Sequence, residues 1–303
     1  MVAALQGFTT LAIVIGVGWL LARTRVADRA AQKALGDVAF FAGQPALVLI
    51  AVADADLDLL IGPHVAAFGV ACILCGLAFA TLQRRLLGAS RAEAAVGYLA
   101  TSYVNAGNLG IPVAAFALGD PAWAAPAMLL QVLILQPSAV AVLESSPSGR
   151  GRSVVASFAT HPLVLAGAAG LLLNLTGWRP PSLLWAPIET IGALAIPAML
   201  LAFGMSLFDN RMPPLHRLPR ETLAAIATKS LLVPAVAWGL GLALGLDGLP
   251  LRAAVILAAL PTAQIVFVHS LRYQVATPLV QATTLWSTVF SVPVILLATL
   301  VVG

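Results

Sequence analysis

The sequence predicts an all-α integral membrane protein of ten transmembrane helices, arranged as two five-helix repeats that enter the membrane in opposite orientations. Three observations lead there: apolar runs of membrane-crossing length, basic residues that alternate between loops, and proline-marked segments that recur in the second half. Of 303 residues, 60% are hydrophobic and 9% charged, with a mean hydropathy of +0.99. Soluble domains carry roughly 25% charged residues, so most of this surface must face lipid.

A helix needs about 20 mainly apolar residues to cross the hydrocarbon. Charge-free runs cover 1–22, 59–83, 94–119, 121–143, 153–178, 190–208, 253–271 and 273–303. Residues 38–53 reach sufficient length if their helix starts near Leu35, and 222–246 carries a single charge, Lys229. At the N-terminus, Leu11 to Ala22 runs straight into Arg23 and Arg25 without a preceding basic region. It reads as a first span, not a cleaved leader.

Loop charges set the direction. Thirteen of the 16 basic residues fall in the 1–2, 3–4, 5–6, 7–8 and 9–10 loops, while Arg179 and Arg252 alone occupy the opposite side. Lys and Arg accumulate in cytoplasmic loops, so both termini are expected outside the cytoplasmic membrane. This placement also explains the net charge of +4 and the pI near 9.6 without nucleic acid.

The repeat is read from Pro45-Ala46-Leu47-Val48-Leu49 and Pro197-Ala198-Met199-Leu200-Leu201, offset by 152, and from Pro112 and Pro261, offset by 149. Residues 1–143 form the first repeat, 144–153 a cytoplasmic linker and 154–303 the second repeat. Five spans per half force the second repeat to enter upside down. Inverted repeats of this kind mark secondary transporters, whose substrate sites lie near the midplane.

Two spans carry the expected site. Span 4 contains Asn105-Ala106-Gly107-Asn108-Leu109-Gly110-Ile111-Pro112. Its glycines weaken the helix, and Pro112 lacks an N–H and clashes with the preceding turn. Span 9 contains Leu260-Pro261-Thr262-Ala263-Gln264, a milder version of the pattern. Broken backbone persists at membrane depth only where protein or a water-filled cavity satisfies it. The expected substrate-binding residues are Asn105, Gly107, Asn108, Gly110, Pro112, Pro261, Thr262 and Gln264. The N-terminal ends of the second half-helices favour an anionic group. The alternative is a pair of kinks that only shape packing.

Lys229, about eight residues into span 8, reads either as a counter-ion or proton-coupling group, or as a side chain that snorkels to the interface. His161 and His269 are candidate proton relays or structural histidines. Gln44, Gln131 and Gln136 either line a cavity or cross-link helices. Asp37 and Glu189 are placed near interfaces, and Asp54, Asp56 and Asp58 in a solvated external loop. Cys72 and Cys75 form a C-x-x-C in an apolar run without further ligands, and read as ordinary helix residues. No phosphate-binding loop suggests a nucleotide-driven pump, and no converging nucleophile, base or metal ligands suggest an enzyme. A channel or a transporter-like sensor without coupled transport is the alternative to a secondary carrier.

The motif Asn105-x-Gly107-x-x-Gly110-x-Pro112 resembles the auxin efflux carrier family, which includes bacterial carriers for malonate and similar acids and is related in fold to bile acid/sodium symporters. Gly18-Trp19-Leu20-Leu21, Gln44-Pro45-Ala46-Leu47, Leu260-Pro261-Thr262-Ala263 and Arg272-Tyr273 extend the resemblance along the chain. Members often carry Asn shortly after the span 9 proline, where this chain has Gln264, and Asn-Pro where it has His161-Pro162. The resemblance implies a ten-helix inverted repeat whose broken helices 4 and 9 cross at the substrate site. It also implies a small organic anion, a carboxylate, moved by alternating access. The lipid bilayer is the expected surrounding, no cofactor or metal is expected, H+ or Na+ is left open as a coupling ion, and a homodimer is left open as an assembly.

Overall fold

The computed structural model describes residues 2–54, 61–145, 162–209 and 212–302. Among these the regular structure is helical, with no strand beyond one isolated antiparallel bridge. Among the described residues, six helices are long and apolar enough to cross a membrane: Arg29–Asp54, Pro63–Leu86, Pro121–Glu144, Ser182–Phe208, Arg220–Ala243 and Thr277–Val301. Shorter apolar helices include Ala12–Arg23, Ala106–Ala115, Pro162–Thr176 and Gly248–Ala259. The molecule is a multi-pass, all-helical integral membrane protein.

The helices gather into two compact units, and each draws on both halves of the sequence. One comprises Met1–Leu57, Gly107–Ala125 and Thr160–Arg211; the other Asp58–Ala106, Pro126–Ala159 and Met212–Gly303. Most of the expected linker, and with it His161, Asp56 and Asp58, lies outside the described residues.

In the first unit, Val2–Arg23 packs along Ser182–Asp209. The approach is backbone to backbone: a Cβ on Gly18 would strike the carbonyl of Leu201, and one on Gly204 the carbonyl of Ile15. Lipid supplies no hydrophobic drive between helices, so such close packing is what holds them. Gln44–Asp54 lies against Pro162–Thr176. Its last carbonyls are capped from outside: Asn174 Nδ2 donates to those of Val52 and Ala53, both at 3.1 Å, and Arg179 Nη1 to that of Ala53 at 3.1 Å. Arg179 also pairs with Asp54 at 2.9 Å, at the last residue of that helix, with both side chains solvent-exposed.

In the second unit the most buried segments are two short helices. Ala94 to Ser102 is buried throughout, as is Ala253 to Ala259. Helices buried on all sides belong to the interior of a bundle. Around them pack Pro63–Leu86, Val233–Ala243 and Thr277–Val301. Val96, Leu99, Tyr103, Leu135, Leu143, Val266, Tyr273 and Val280 form one continuous core.

Candidate functional site

Both short helices stop abruptly inside that core. The first begins with a capping box: Ser90 N–H donates to Glu93 Oε2 at 2.7 Å, and Glu93 N–H to Ser90 Oγ at 3.2 Å. Arg91–Ser102 then ends where Tyr103 turns extended, at φ −85° and ψ 108°. The second, Gly248–Ala259, gives way at Leu260, and helix resumes at Gln264–Tyr273.

The two interruptions meet each other. Val104 and Thr262 form the isolated antiparallel bridge. Asn105 N–H donates to the Pro261 carbonyl at 2.7 Å, and Ala263 N–H to the Tyr103 carbonyl at 3.1 Å. Side chains absorb other backbone groups near the breaks. Ser287 Oγ accepts from Thr262 N–H at 3.0 Å, and Thr262 Oγ1 donates to the Ala100 carbonyl at 2.6 Å. An unpaired backbone group in a dry interior costs several kcal/mol at membrane depth. Each broken helix therefore needs the other's break, and removing either would leave polar backbone exposed to an apolar core.

Lys229 reaches the same place. Its side chain is fully buried, and Nζ donates to the Ala258 carbonyl at 3.0 Å. The last carbonyls of Gly248–Ala259 carry partial negative charge, which a cation offsets. The ammonium thus turns inward to a helix end instead of outward to the surface. Cys72 and Cys75 are buried and free, and no cluster among the described residues has the makings of a metal site.

The span 4 interruption differs from the sequence expectation in one respect. Helix is lost at Tyr103 to Asn105, upstream of Pro112, because pairing with Pro261 to Ala263 fixes where the chain extends. Pro112 instead follows the π-helical turn Ala106–Gly110, as the second residue of Ile111–Ala117. Three other π turns share the arrangement: Ala39–Gly43 before Pro45, Gln131–Leu135 before Pro137, and Thr228–Leu232 before Pro234. Proline cannot donate, and its ring crowds the carbonyl four residues back. Widening the preceding turn moves that carbonyl aside and keeps the helix running. The intramembrane polar residues Gln44, Asn108, Gln131, Gln136 and Lys229 all lie in or directly after these turns, which recur at functional sites.

The expected site residues thus divide. Asn105, Pro261 and Thr262 are brought together, with Gln264 starting the next helix. Gly107, Asn108, Gly110 and Pro112 follow in the chain but belong to the other compact unit. There Asn108 Oδ1 accepts from Gln44 Nε2 at 3.3 Å, both residues being buried. His269 sits five residues beyond Gln264 and stacks on Tyr273 at 6.5 Å between ring centroids. Two residues went unmarked by sequence. Met199 Sδ lies 2.9 Å from Gln44 Nε2. Glu144 accepts from the Tyr273 hydroxyl at 2.6 Å and faces Arg272 at 3.6 Å. Position beside a proline was the only available signal for Met199. For Glu144 it was its place at the end of an apolar run.

Residues 150–299 match the family described as membrane transport protein. A protein of Rhizobium meliloti (strain 1021) bearing the name "Putative malonate transporter" is 32% identical over 212 residues, a match covering 66% of this chain and 65% of that relative's length. These similarities relate the chain to membrane transport proteins, over about half of it by family and over 65% of that relative's length.

Proposed function

We propose that this protein is a secondary transporter that carries a small organic anion, a carboxylate, across the cytoplasmic membrane by alternating access. The observation that carries the reading is the antiparallel pairing of two mid-helix interruptions in a buried core. Paired breaks offer backbone dipoles and amide side chains at membrane depth, where an intact helix offers neither. Substrate is bound at the span 4 interruption through Asn105, with Pro261, Thr262 and Gln264 on the facing interruption of the same unit, and Asn108 is a separate candidate contact in the other unit. Gly107, Gly110 and Pro112 keep the chain near Asn108 out of regular α-helix. Gln264–Tyr273 points its positive N-terminal end toward the break, which favours an anion. Lys229 offsets negative helix-end charge there and serves as counter-ion or coupling group, with H+ or Na+ as the coupled ion. The ten-helix, inverted-repeat organisation with both termini outside is part of this proposal, supported by the loop charges and the matched prolines. A relative whose name cites malonate supports a dicarboxylate substrate.

Counterflow into proteoliposomes with a panel of mono- and dicarboxylates, with and without proton or sodium gradients, tests the reading. Saturable exchange of at least one short dicarboxylate is expected. Accumulation no greater than in empty liposomes across the panel would overturn it.

A further inference from the structure

The half-helix Gly248–Ala259 carries a cation toward each end. At the crossing end Lys229 Nζ closes on the Ala258 carbonyl at 3.0 Å. Arg252 stands about 9 Å further back along the axis, at 1.5 Å per residue. Leu251 and every residue from Ala253 to Ala259 are buried, so Arg252 is the one partly exposed side chain on that stretch. It belongs to the same compact unit as Lys229, Asn105 and Pro261. Of the two basic residues expected on the outer side, Arg179 is engaged by Asp54 and the Ala53 carbonyl. Arg252 has no hydrogen bond or ion pair among the described residues: its Nε is buried without an acceptor, and its Nη groups open to the surface. Asp247, the nearest acidic residue in sequence, is an exposed N-cap and does not pair with it. The helix draws no support from the charge, because cations favour the C-terminal turn and not the N-terminal half. A buried donor left over calls for an explanation, and the planar guanidinium fork matches a carboxylate.

We propose that Arg252 is a capture residue for the transported carboxylate, binding it at the outer mouth of this half-helix one step ahead of the crossing. This rests on the reading that a carboxylate binds at the crossing and that residue 248 lies toward the outside. An unpaired guanidinium at a mouth raises the local concentration of anions and speeds their encounter, an effect that salt suppresses. Capture of this kind lowers the barrier to entry and exit without altering affinity at the crossing itself. The same oxyanion chemistry has a second source in lipid phosphate, to which an arginine near a helix end can snorkel. The two sources differ in what they do to transport.

The test measures two quantities for wild type, Arg252→Gln and Arg252→Lys: equilibrium binding of malonate to the purified protein, and initial uptake of dilute malonate by proteoliposomes at low and high salt. Arg252→Gln is expected to bind malonate like wild type yet take it up roughly 3- to 10-fold more slowly at low salt. Wild-type uptake should fall toward that of Arg252→Gln as salt rises, while the variant changes little. Arg252→Lys keeps the charge without the fork, so it should retain the salt response; it carries the test should Arg252→Gln fail to fold, as read from its thermal melt. A merely structural lesion would slow uptake equally at both salt concentrations and would overturn the proposal. So would an Arg252→Gln that melts lower in liposomes containing phosphatidylglycerol but keeps the wild-type salt response, which would assign the side chain to lipid phosphate. Weakened equilibrium binding would also overturn it, by placing Arg252 in the crossing site. If wild type neither binds nor takes up malonate, the carboxylate reading fails, and this inference with it.

Discussion

At Leu260–Ala263 the chain is clamped by side chains, whereas at Tyr103–Asn105 it is held through backbone. Thr262 gives its hydroxyl to Ala100 and its N–H to Ser287, and Lys229 closes the helix end just before it. Asn105, by contrast, enters the crossing through its backbone N–H to Pro261. The next residues, Ala106–Gly110, wind as a π turn holding both glycines and Asn108. The two interruptions resemble each other in sequence, yet one spends its polar groups on holding the crossing while the other carries amides near it. Substitutions at Leu260–Ala263 should therefore show first in stability, and those at the Asn105 interruption should show in ligand binding.

The largest effect is expected at Lys229, where the contrast between clamp and site breaks down. Lys229→Met removes a buried cation from the Ala258 carbonyl and from the proposed anion site, and uptake in proteoliposomes should be lost while membrane insertion is retained. Lys229→Arg should not restore a proton-coupling role, because arginine stays charged. Wild-type uptake by Lys229→Met would remove Lys229 from the mechanism. Thr262→Val sharpens the comparison. It conserves shape but leaves the Ala100 carbonyl without its donor, at a cost of about 1–3 kcal/mol, read as a lowered thermal melt. A variant that melts like wild type yet loses substrate affinity would make Thr262 a ligand-contacting residue instead of a clamp.

The smallest effect lies at the entry to the first interrupted helix. Glu93 is exposed, outside the apolar run that begins at residue 94, and the bonds it makes with Ser90 hold its carboxyl below the usual carboxylate range. A depressed folded-state pKa contributes stability above the unfolded value, and that contribution is lost as pH falls through the folded one. Solvent screening keeps it well under about 1 kcal/mol. Melts of wild type and Glu93→Gln should therefore differ slightly near neutral pH and converge on acidification below the carboxylate range. A difference that persists in acid would place the cause elsewhere.

Much of this architecture was legible because lipid imposes simple rules. Apolar length marked the spans, and a buried proline beside polar residues marked the places where helices deviate. The π turns were less legible: Pro45, Pro112, Pro137 and Pro234 each follow one, whereas Pro187, Pro197 and Pro293 lie inside uninterrupted α-helices. What sequence could not place was anything set by a partner distant along the chain. The first break lies at Tyr103–Asn105 because Pro261–Ala263 pairs there, not because of a local signal stronger than Pro112. Likewise, Lys229 could be read as snorkelling until Ala258 was found within 3.0 Å. Nothing in the sequence beyond the neighbouring Pro197 marked Met199, whose sulfur faces Gln44.

The central claim is that the interruption at Asn105 and the turn carrying Asn108 bind an organic anion. It is tested most directly by measuring the affinity of Asn105→Ala and Asn108→Ala for the carboxylate that gives the strongest counterflow, alongside their thermal melts. Losing one hydrogen bond to a charged partner costs about 1.5–3 kcal/mol, so each variant should bind roughly 10- to 150-fold more weakly while melting close to wild type. Wild-type affinity in both variants would contradict the account and leave the crossed interruptions a purely structural feature.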